Sequence, residues 1–563
     1  MSLPMQRMQI TAIDSGEPRD ESGEQYNPAR RRLPPEVLVL VFSFLVLDER
    51  PYRPRSLLHT EDLPPYPPLG WIRLGHVNQG WRAALLNHAF FWASEIGVYP
   101  HAIHDMLVRA GPTAPLRVHI PLSGGNPYYS GLTELSLACM SDEIALRQRL
   151  QTLIVQTDVR PPGSQLKKLA PIFSSPLPKL RDLELLFEYF SEADKKVLRT
   201  SLDAPNLREI ALLNCCFVGA WHTPNLVSLH IVMSHRPKSE WAASPDNILG
   251  VLSVCRSTIQ SIRLKGVFCD DCLANADEPV IFRAHSVHLP HLTSIYLSEF
   301  AFEASDLLSS LTYPSTACTK VDVTQCRQGT DEIPAFQSLV RSALQKYPHC
   351  LNALRMHDDG LDQSSPDDEF DIDLYELPSA AARNHRCSWF VDLRPSVSFH
   401  FECDGSPYHI YPYIRDFFTE DILVPVLLEQ AMVLDKLAFA LREVQGEYDT
   451  EEESGPERHV GHIMDYASSA TDVVVQDPYV YGCPVMDALC RPERLPGVET
   501  LCLVTRPGGK NEIYCGTLTV ELRNRASLAT TVHIDKAFAA PEYAGTPEQL
   551  KSSLEGMMAG VIW

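Results

Sequence analysis

Positive charge is what this chain has too little of. Its 49 lysines and arginines face 71 aspartates and glutamates, a formal net charge of −22. That balance argues against non-specific binding to nucleic acid or to an anionic membrane, because both need a basic surface. Long apolar runs are missing as well. The apolar stretch from Val37 to Leu47 falls far short of the roughly 20 residues a membrane span requires. Arg30, Arg31 and Arg32 precede it, but a secretory signal does not begin after so long a polar tail. Catalytic signatures are absent: there is no P-loop, nucleophile elbow, HExxH or paired CxxC. His101, His104 and Asp105 lie close in sequence, yet a base and its orienter need a nucleophile, and none is marked. They read as an exposed loop or helix. No catalytic residue, metal or cofactor is expected. With 15 cysteines and no leader, the chain reads as intracellular, cytoplasmic or nuclear, with free thiols. Cys215 and Cys216 read as buried thiols after a strand.

What is present is ordinary in amount and unusual in arrangement. An apolar content of 45% allows a large core, and 563 residues allow several domains or one extended solenoid. Residues 1–32 are polar and read as a disordered tail. Next comes LPPEVLVLVFSFL. Pro34 and Pro35 suit the first turn of a helix, where their missing N–H groups cost nothing. Glu36 sits where the helix dipole favours a negative charge. Val37, Leu38, Val41, Leu45 and Val46 recur at helical spacing, while Leu40, Phe42, Phe44 and Leu47 make the helix apolar nearly all round. A short helix that oily buries several faces or lends one to a partner. An insert at 48–69, with Pro51, Pro54, Pro64, Pro65, Pro67 and Pro68, forbids regular helix. After it the chain reads GWIRLGHVNQGWRAALLNHAFFWASEI.

Residues 33–98 resemble an F-box, the helical module that docks a protein onto the Skp-type adaptor of a cullin ubiquitin ligase. The matching residues in the first half are Leu33, Pro34, Glu36, Val37, Val41, Phe42 and Leu45. In the second half they are Leu74, Val77, Trp81, Arg82, Leu85, Trp92 and Ile96, with Asn78 where the family often has Cys. The resemblance implies that Leu33, Pro34, Val37, Phe42, Leu45, Trp81 and Trp92 either contact the adaptor or hold the helices that do. The Pro-rich insert followed by Gly70, Trp71, Ile72 and Arg73 resembles fungal F-box-like proteins.

Beyond the F-box an apolar-x-x-apolar-x-apolar pattern repeats. It occurs at Leu132, Leu150, Leu180, Leu207, Leu226, Ile259 and Leu292, then more weakly at Leu351, and again at Val498. Start-to-start spacings run from 18 (132 to 150) to 33 residues (259 to 292). They scatter around the roughly 20–29 of leucine-rich repeats. Pro178, Pro205, Pro224, Pro290 and Pro496 each stand two residues before the first apolar position of a unit. Proline cannot sit inside a central strand but can end a connection just before one. Stretches such as Ser191 to Leu202 and Asp246 to Val254 read as return helices. Each strand-and-return unit cannot bury its apolar face alone, so neighbours must stack. The fold class expected is α+β: a helical F-box, then an irregular leucine-rich-repeat-like α/β solenoid over 99–356 that resumes over 387–563. Most of the regular family's Asn or Cys ladder is missing, and an ordinary α/β domain with parallel LxxLxL strands remains the alternative.

Two acidic breaks interrupt the pattern, an acidic loop at 357–386 and a disordered one at 446–457. Between them Trp389 to Phe401 reads as strand and Ile422 to Val444 as helix, or Leu434, Leu437 and Phe439 form another unit. Cys269, Cys272, His285 and His291 have formal zinc-finger spacing. Against zinc stand Ala276 at the core aromatic position, Pro279 and Pro290 in the helix, and a repeat strand starting at Leu292.

The function expected is that of a non-catalytic substrate receptor. The F-box takes the Skp-type adaptor and, through it, a cullin; the strand face takes a target protein. Arg181, Glu184, Glu209, Arg263 and Tyr296 point outward from the strands and are the candidates for target contact. The rival reading is a repeat scaffold without ligase association.

Overall fold

In the computed structural model of the chain the described residues are 33–48, 70–99, 102–122, 143–157, 170–187, 201–217, 219–234, 243, 245–268, 286–323, 333–347, 351–357, 369–377, 394–402, 418–440, 457–476, 485, 489, 491, 494–504, 531–534, 552 and 560–562. They fall into two compact units that divide between Phe91 and Trp92. Residues 92–98, grouped with residues 33–91 in the sequence reading, belong to the second unit.

The first unit is helical: α1 (Pro35–Asp48), a 3-10 segment (Gly70–His76), α2 (Gln79–Leu86) and the start of α3 (Ala89–Ala93). The carbonyl of Pro34 accepts the first helical bonds, from the N–H groups of Val37 and Leu38 at 3.0 and 3.1 Å. Leu38, Phe42 and Val46, at i, i+4 and i+8, form the buried stripe of α1. Phe42 meets Trp81 edge-on at 5.3 Å between centroids and Phe91 at 6.0 Å. Such edge contacts suit the ring quadrupoles. Asn78, the departure from the F-box pattern, caps α2: its Oδ1 accepts the Trp81 N–H at 2.9 Å.

In the second unit α4 (Ile103–Ala110) leads, among the described residues, into twenty short strands. These begin with β1 (Leu116–Leu122), β2 (Leu150–Thr157), β3 (Asp182–Phe187), β4 (Leu202–Asp203), β5 (Glu209–Leu213), β6 (Trp221–His222) and β7 (Ser228–Val232). They continue with β8 (Ser261–Lys265), β9 (Val287–His288), β10 (Ser294–Ser298), β11 (Leu311–Thr312), β12 (Cys318–Val323), β13 (Ala353–His357) and β14 (Glu369–Tyr375). The last are β15 (Val397–Glu402), β16 (Lys436–Ala440), β17 (Asp472–Gln476), β18 (Thr500–Val504), β19 (Thr531–Ile534) and β20 (Gly560–Ile562). Among the described residues sixteen form one sheet, in the order β1-β2-β3-β5-β7-β8-β10-β12-β15-β14-β13-β16-β17-β18-β19-β20. Every neighbouring pair is parallel except β13–β14 and β14–β15. The fold class is a mixed α/β one with a large, mostly parallel sheet.

Registers explain the repeat. Leu153, Leu183, Ile210, Leu229, Ile262 and Ile295 share one row across the strands, and Val155, Leu185, Leu212, Ile231, Leu264 and Leu297 share another. Both rows are almost free of solvent. Each such side chain contributes roughly 1.5–3 kcal/mol by leaving water. The prolines have a definite task. Pro178, Pro205, Pro224, Pro290 and Pro496 each follow a carbonyl that accepts the N–H three residues on, as in Leu177 to Leu180 and Ala204 to Leu207. They therefore occupy the second position of a β-turn, where their fixed φ is already correct. Four of those turns place Leu180, Leu207, Leu226 and Leu292 into the core, and the fifth does the same for Val498.

The expected units from Leu150 to Leu292 form strands β2, β3, β5, β7, β8 and β10, and the later ones β13 and β18; the unit at Leu132 lies outside the described residues. Asp246 to Val254 lies within the helix Pro245–Val254. Residues 191–200 lie outside the described residues, and Leu202, expected in a helix, is in β4, paired with Trp221. Four other expectations are corrected. Ile96, assigned to the F-box, extends the sheet: its N–H and C=O bond to Arg117 and His119 of β1 at 3.1 and 2.7 Å. The acidic loop at 357–386 contains β14, because Phe370, Ile372 and Leu374 alternate with its aspartates. The helix expected over 422–444 stops at Glu429, and Leu437 and Phe439 lie in β16, as the repeat alternative had it. The strand expected over 389–401 begins at Val397, with 389–393 outside the described residues.

Candidate functional site

Two surfaces carry the residues singled out in the sequence. The first is the free face of α1. Val37, Leu40 and Phe44, at i, i+3 and i+7, form a stripe opposite the buried one and stay exposed, Phe44 at 65%. Leu33 precedes them and is exposed, as are Pro34 and Glu36. Val77, Leu86 and Phe90 of the same unit are exposed too. Val41, Leu45, Leu74 and Trp81 are partly buried, and Phe42 is wholly buried. The candidate contact residues thus separate into a surface set and a supporting set. Trp92 joins neither: it is buried in the second unit with the guanidinium of Arg109 4.4 Å above its ring.

The second surface is the outward face of the sheet. Glu184, Arg263 and Tyr296 fall in one register row, together with Ala211, His230, Lys320, Ser398, Asp373 and Arg355. Glu209 is two positions earlier on β5, and Arg181 stands just before β3. The sheet therefore unites three of the five candidates in one row and leaves the other two near its strand-starting edge. Arg263 lies 4.8 Å over the Tyr296 ring, and the Tyr296 hydroxyl donates to Asp322 Oδ2 at 2.7 Å. Burial, then the charge of Asp322, pushes the Tyr296 phenol well up. Burial, then the Arg263 charge, pushes His230 down.

Sequence reading missed the heart of this face, which β14 builds. His400 Nδ1 is 2.7 Å from Asp371 Oδ1, and His357 Nε2 is 3.1 Å from Asp373 Oδ2. His357 also lies 3.8 Å from Asp371, and Arg355 3.9 Å from Asp373. The Tyr375 hydroxyl donates to Asp373 at 3.2 Å. Burial disfavours the charged form of His400, but the bond to Asp371 and the charges of Asp371 and Asp322 outweigh it, so its pKa is raised. Asp373 is held below the usual carboxylate value: burial acts against it, but its bond with His357 and the charges of His357 and Arg355 win. The alternation F-D-I-D-L was the available signal. Its acidic setting pointed to a loop instead.

Of the formal zinc ligands, Cys269, Cys272 and His285 lie outside the described residues, and His291 is exposed. Among the described residues no group of three or more His, Cys, Asp or Glu is placed to hold a metal. Cys215 and Cys216 are buried free thiols, and burial pushes Cys216 up to about 12. Cys502 is disulfide-bonded, against the expectation of free thiols. No helix among the described residues is long and apolar enough to cross a membrane.

No family model and no curated protein matches the chain. Among solved structures it is similar to the leucine-rich repeat-containing protein LegL7 from Legionella pneumophila. The identity is 9%, the match covers 70% of this chain and 85% of that one, and the TM-score is 0.25. A TM-score that low bears on neither fold nor function.

Proposed function

We propose that the chain is a substrate receptor of a Skp–cullin–F-box type ubiquitin ligase, with a fungal F-box-like module at its N-terminus. The observation that carries this reading is the double-faced α1. One stripe (Leu38, Phe42, Val46) packs inward, and the opposite stripe (Val37, Leu40, Phe44), with Leu33, stays in water. Exposed apolar stripes of this kind are retained for a partner. On this reading Leu33, Pro34, Val37, Leu40, Phe44 and Val77 form the adaptor contact, and Phe42 and Trp81 hold the helices in place. The long sheet of the second unit holds the target along its outward face, through Glu184, Arg263 and Tyr296. The chain itself performs no chemistry; a conjugating enzyme carries the ubiquitin.

The test is co-purification of the full chain with a Skp-type adaptor. A one-to-one complex is expected, lost when Leu33 and Pro34 are both replaced by Ala and when residues 33–91 are deleted. Since Leu33 and Pro34 are exposed, the double variant keeps its fold. A folded wild-type chain that binds no adaptor leaves the scaffold reading, in which the sheet acts alone.

A further inference from the structure

A groove of about 900 Å³ runs across the strand-starting edge of the array, from Pro115 before β1 to His291 before β10. Two rows of side chains line it. Arg181, Arg208, Val227 and Gln260 each occupy the position just before a strand and Gln151 is the second residue of β2, their backbones linked in sequence by bonds of 2.7 to 2.8 Å. Lys179, Asn206, Asn225, Thr258 and His291 sit two residues earlier. Three members of the second row are fixed by their own bonds. Asn206 donates to the Pro178 carbonyl at 2.6 Å, Asn225 to Pro205 at 2.8 Å, and Thr258 to Pro224 at 2.9 Å. Each amide is thus oriented by the preceding turn and keeps its oxygen as an acceptor.

The charge of this groove opposes that of the chain. Lys179, Arg181 and Arg208 line it, no carboxylate does, and the chain carries −22 overall. Among the described residues none of the three cations is engaged by an acidic side chain. Asp182 and Glu209 follow Arg181 and Arg208 along the strands but do not line the groove, and Asp182 accepts the Thr152 hydroxyl at 2.8 Å. The groove spans six inter-strand steps of roughly 4.8 Å, on the order of 29 Å, the length of about eight to nine extended residues. Its cations stand together on the lead-ins to β3 and β5, and the lead-ins to β7 and β8 offer amides and hydroxyls.

We infer that this groove binds an extended peptide segment with clustered Asp and Glu at one end and neutral polar residues at the other. The carboxylates meet Lys179, Arg181 and Arg208 in charge-assisted bonds. The peptide's backbone N–H and C=O groups meet the fixed amides and hydroxyls of the turns. Nucleic acid fits worse. No Phe, Tyr or Trp lines the groove for bases to stack on, and three cations are few for a phosphate backbone. The inference deepens the receptor reading and rests on it only in making the segment part of a target.

The experiment titrates the full chain into a fluorescein-labelled nonapeptide of four Asp/Glu followed by Ser, Asn and Gly. The controls are its Asn/Gln counterpart and a nine-nucleotide uridine RNA. The acidic peptide should bind about tenfold or more tighter than the neutral one, and the triple variant Lys179→Glu, Arg181→Glu, Arg208→Glu should lose about that factor. All three side chains are exposed, so the variant should melt like wild type and keep its adaptor complex. Equal binding of both peptides, or unchanged binding by a folded triple variant, overturns the inference. So does RNA bound more tightly than the acidic peptide. Adaptor binding retained alongside any of these results sinks the groove alone and leaves the receptor reading standing.

Discussion

Phe42 and Phe44, two residues apart on α1, should separate folding from docking. Phe42 is 0% exposed and meets Trp81 and Phe91 edge-on, whereas Phe44 is 65% exposed. Replacing a buried Phe by Ala costs about 3–5 kcal/mol, part of it from edge contacts worth roughly 0.5–1.5 kcal/mol each. That is a large share of what a small helical unit can hold. Phe42→Ala should therefore unfold the first unit and abolish adaptor binding indirectly. Phe44→Ala should change the unit's stability by less than about 0.5 kcal/mol. If the exposed two-thirds of its ring enters the adaptor, the loss there is about 1–2 kcal/mol, or roughly 5- to 30-fold in Kd. Hydrogen exchange over residues 35–48 reads the fold, and calorimetric titration with adaptor reads the docking. Loss of exchange protection in Phe44→Ala, or full protection in Phe42→Ala, refutes the assignment of the two faces. Unchanged adaptor affinity in Phe44→Ala refutes the docking role of the exposed stripe.

Two other outcomes follow from the sheet. Asn214 has φ of 56°, donates to the Phe187 carbonyl at 2.7 Å and accepts the Ser234 N–H at 2.5 Å; Asn214→Ala should cost about 2–4 kcal/mol and Asn214→Gly less, measured by denaturant midpoints. Equal losses for Ala and Gly would show that the backbone conformation adds nothing. The raised pKa of His400 makes its contribution to stability complete below its unfolded value of 6.5 and lost as pH rises through the folded value. The stability gap between wild type and His400→Gln should therefore be widest in mild acid and narrow toward alkaline pH. A gap that widens with pH refutes the Asp371–His400 pairing.

The part of the fold legible in sequence is the part built from local signals. At Leu180, Leu207, Leu226 and Leu292 a turn proline and a period-2 pair of apolar residues occur within eight residues, and each became a turn and a strand of the sheet. β12 escaped because its interior row holds Thr319, whose hydroxyl is 3.0 Å from the hydroxyls of both Tyr313 and Tyr347. A polar core position does not show the period-2 apolar pair, and its second partner, Tyr347, lies far beyond β12 in the chain. Gly97 was equally silent: its φ is +97°, and a Cβ there would lie 2.6 Å from the His119 carbonyl, so glycine lets Ile96 pair with β1.

By itself, then, the amino-acid order determined the helix with two apolar faces, the turns and the strands β2, β3, β5, β7, β8, β10, β13 and β18, because helical and strand periods and proline's φ act within a few residues. The candidate sites were divided differently. The exposed stripe of α1 was half visible, since a helix apolar all round announces a partner without saying which face is free. Tertiary structure decided that Phe42 points in and Phe44 out. It also placed β14 and β15 between β12 and β13, which brings Asp371 and Asp373 against His400 and His357. The basic groove depends on it most completely. Lys179 and Arg181 stand well before Arg208 in a chain where acids outnumber bases, and only the parallel stacking of turns puts all three in one channel with Asn225 and Gln260. Register across strands is set by burial of the interior rows, and no window of sequence contains it.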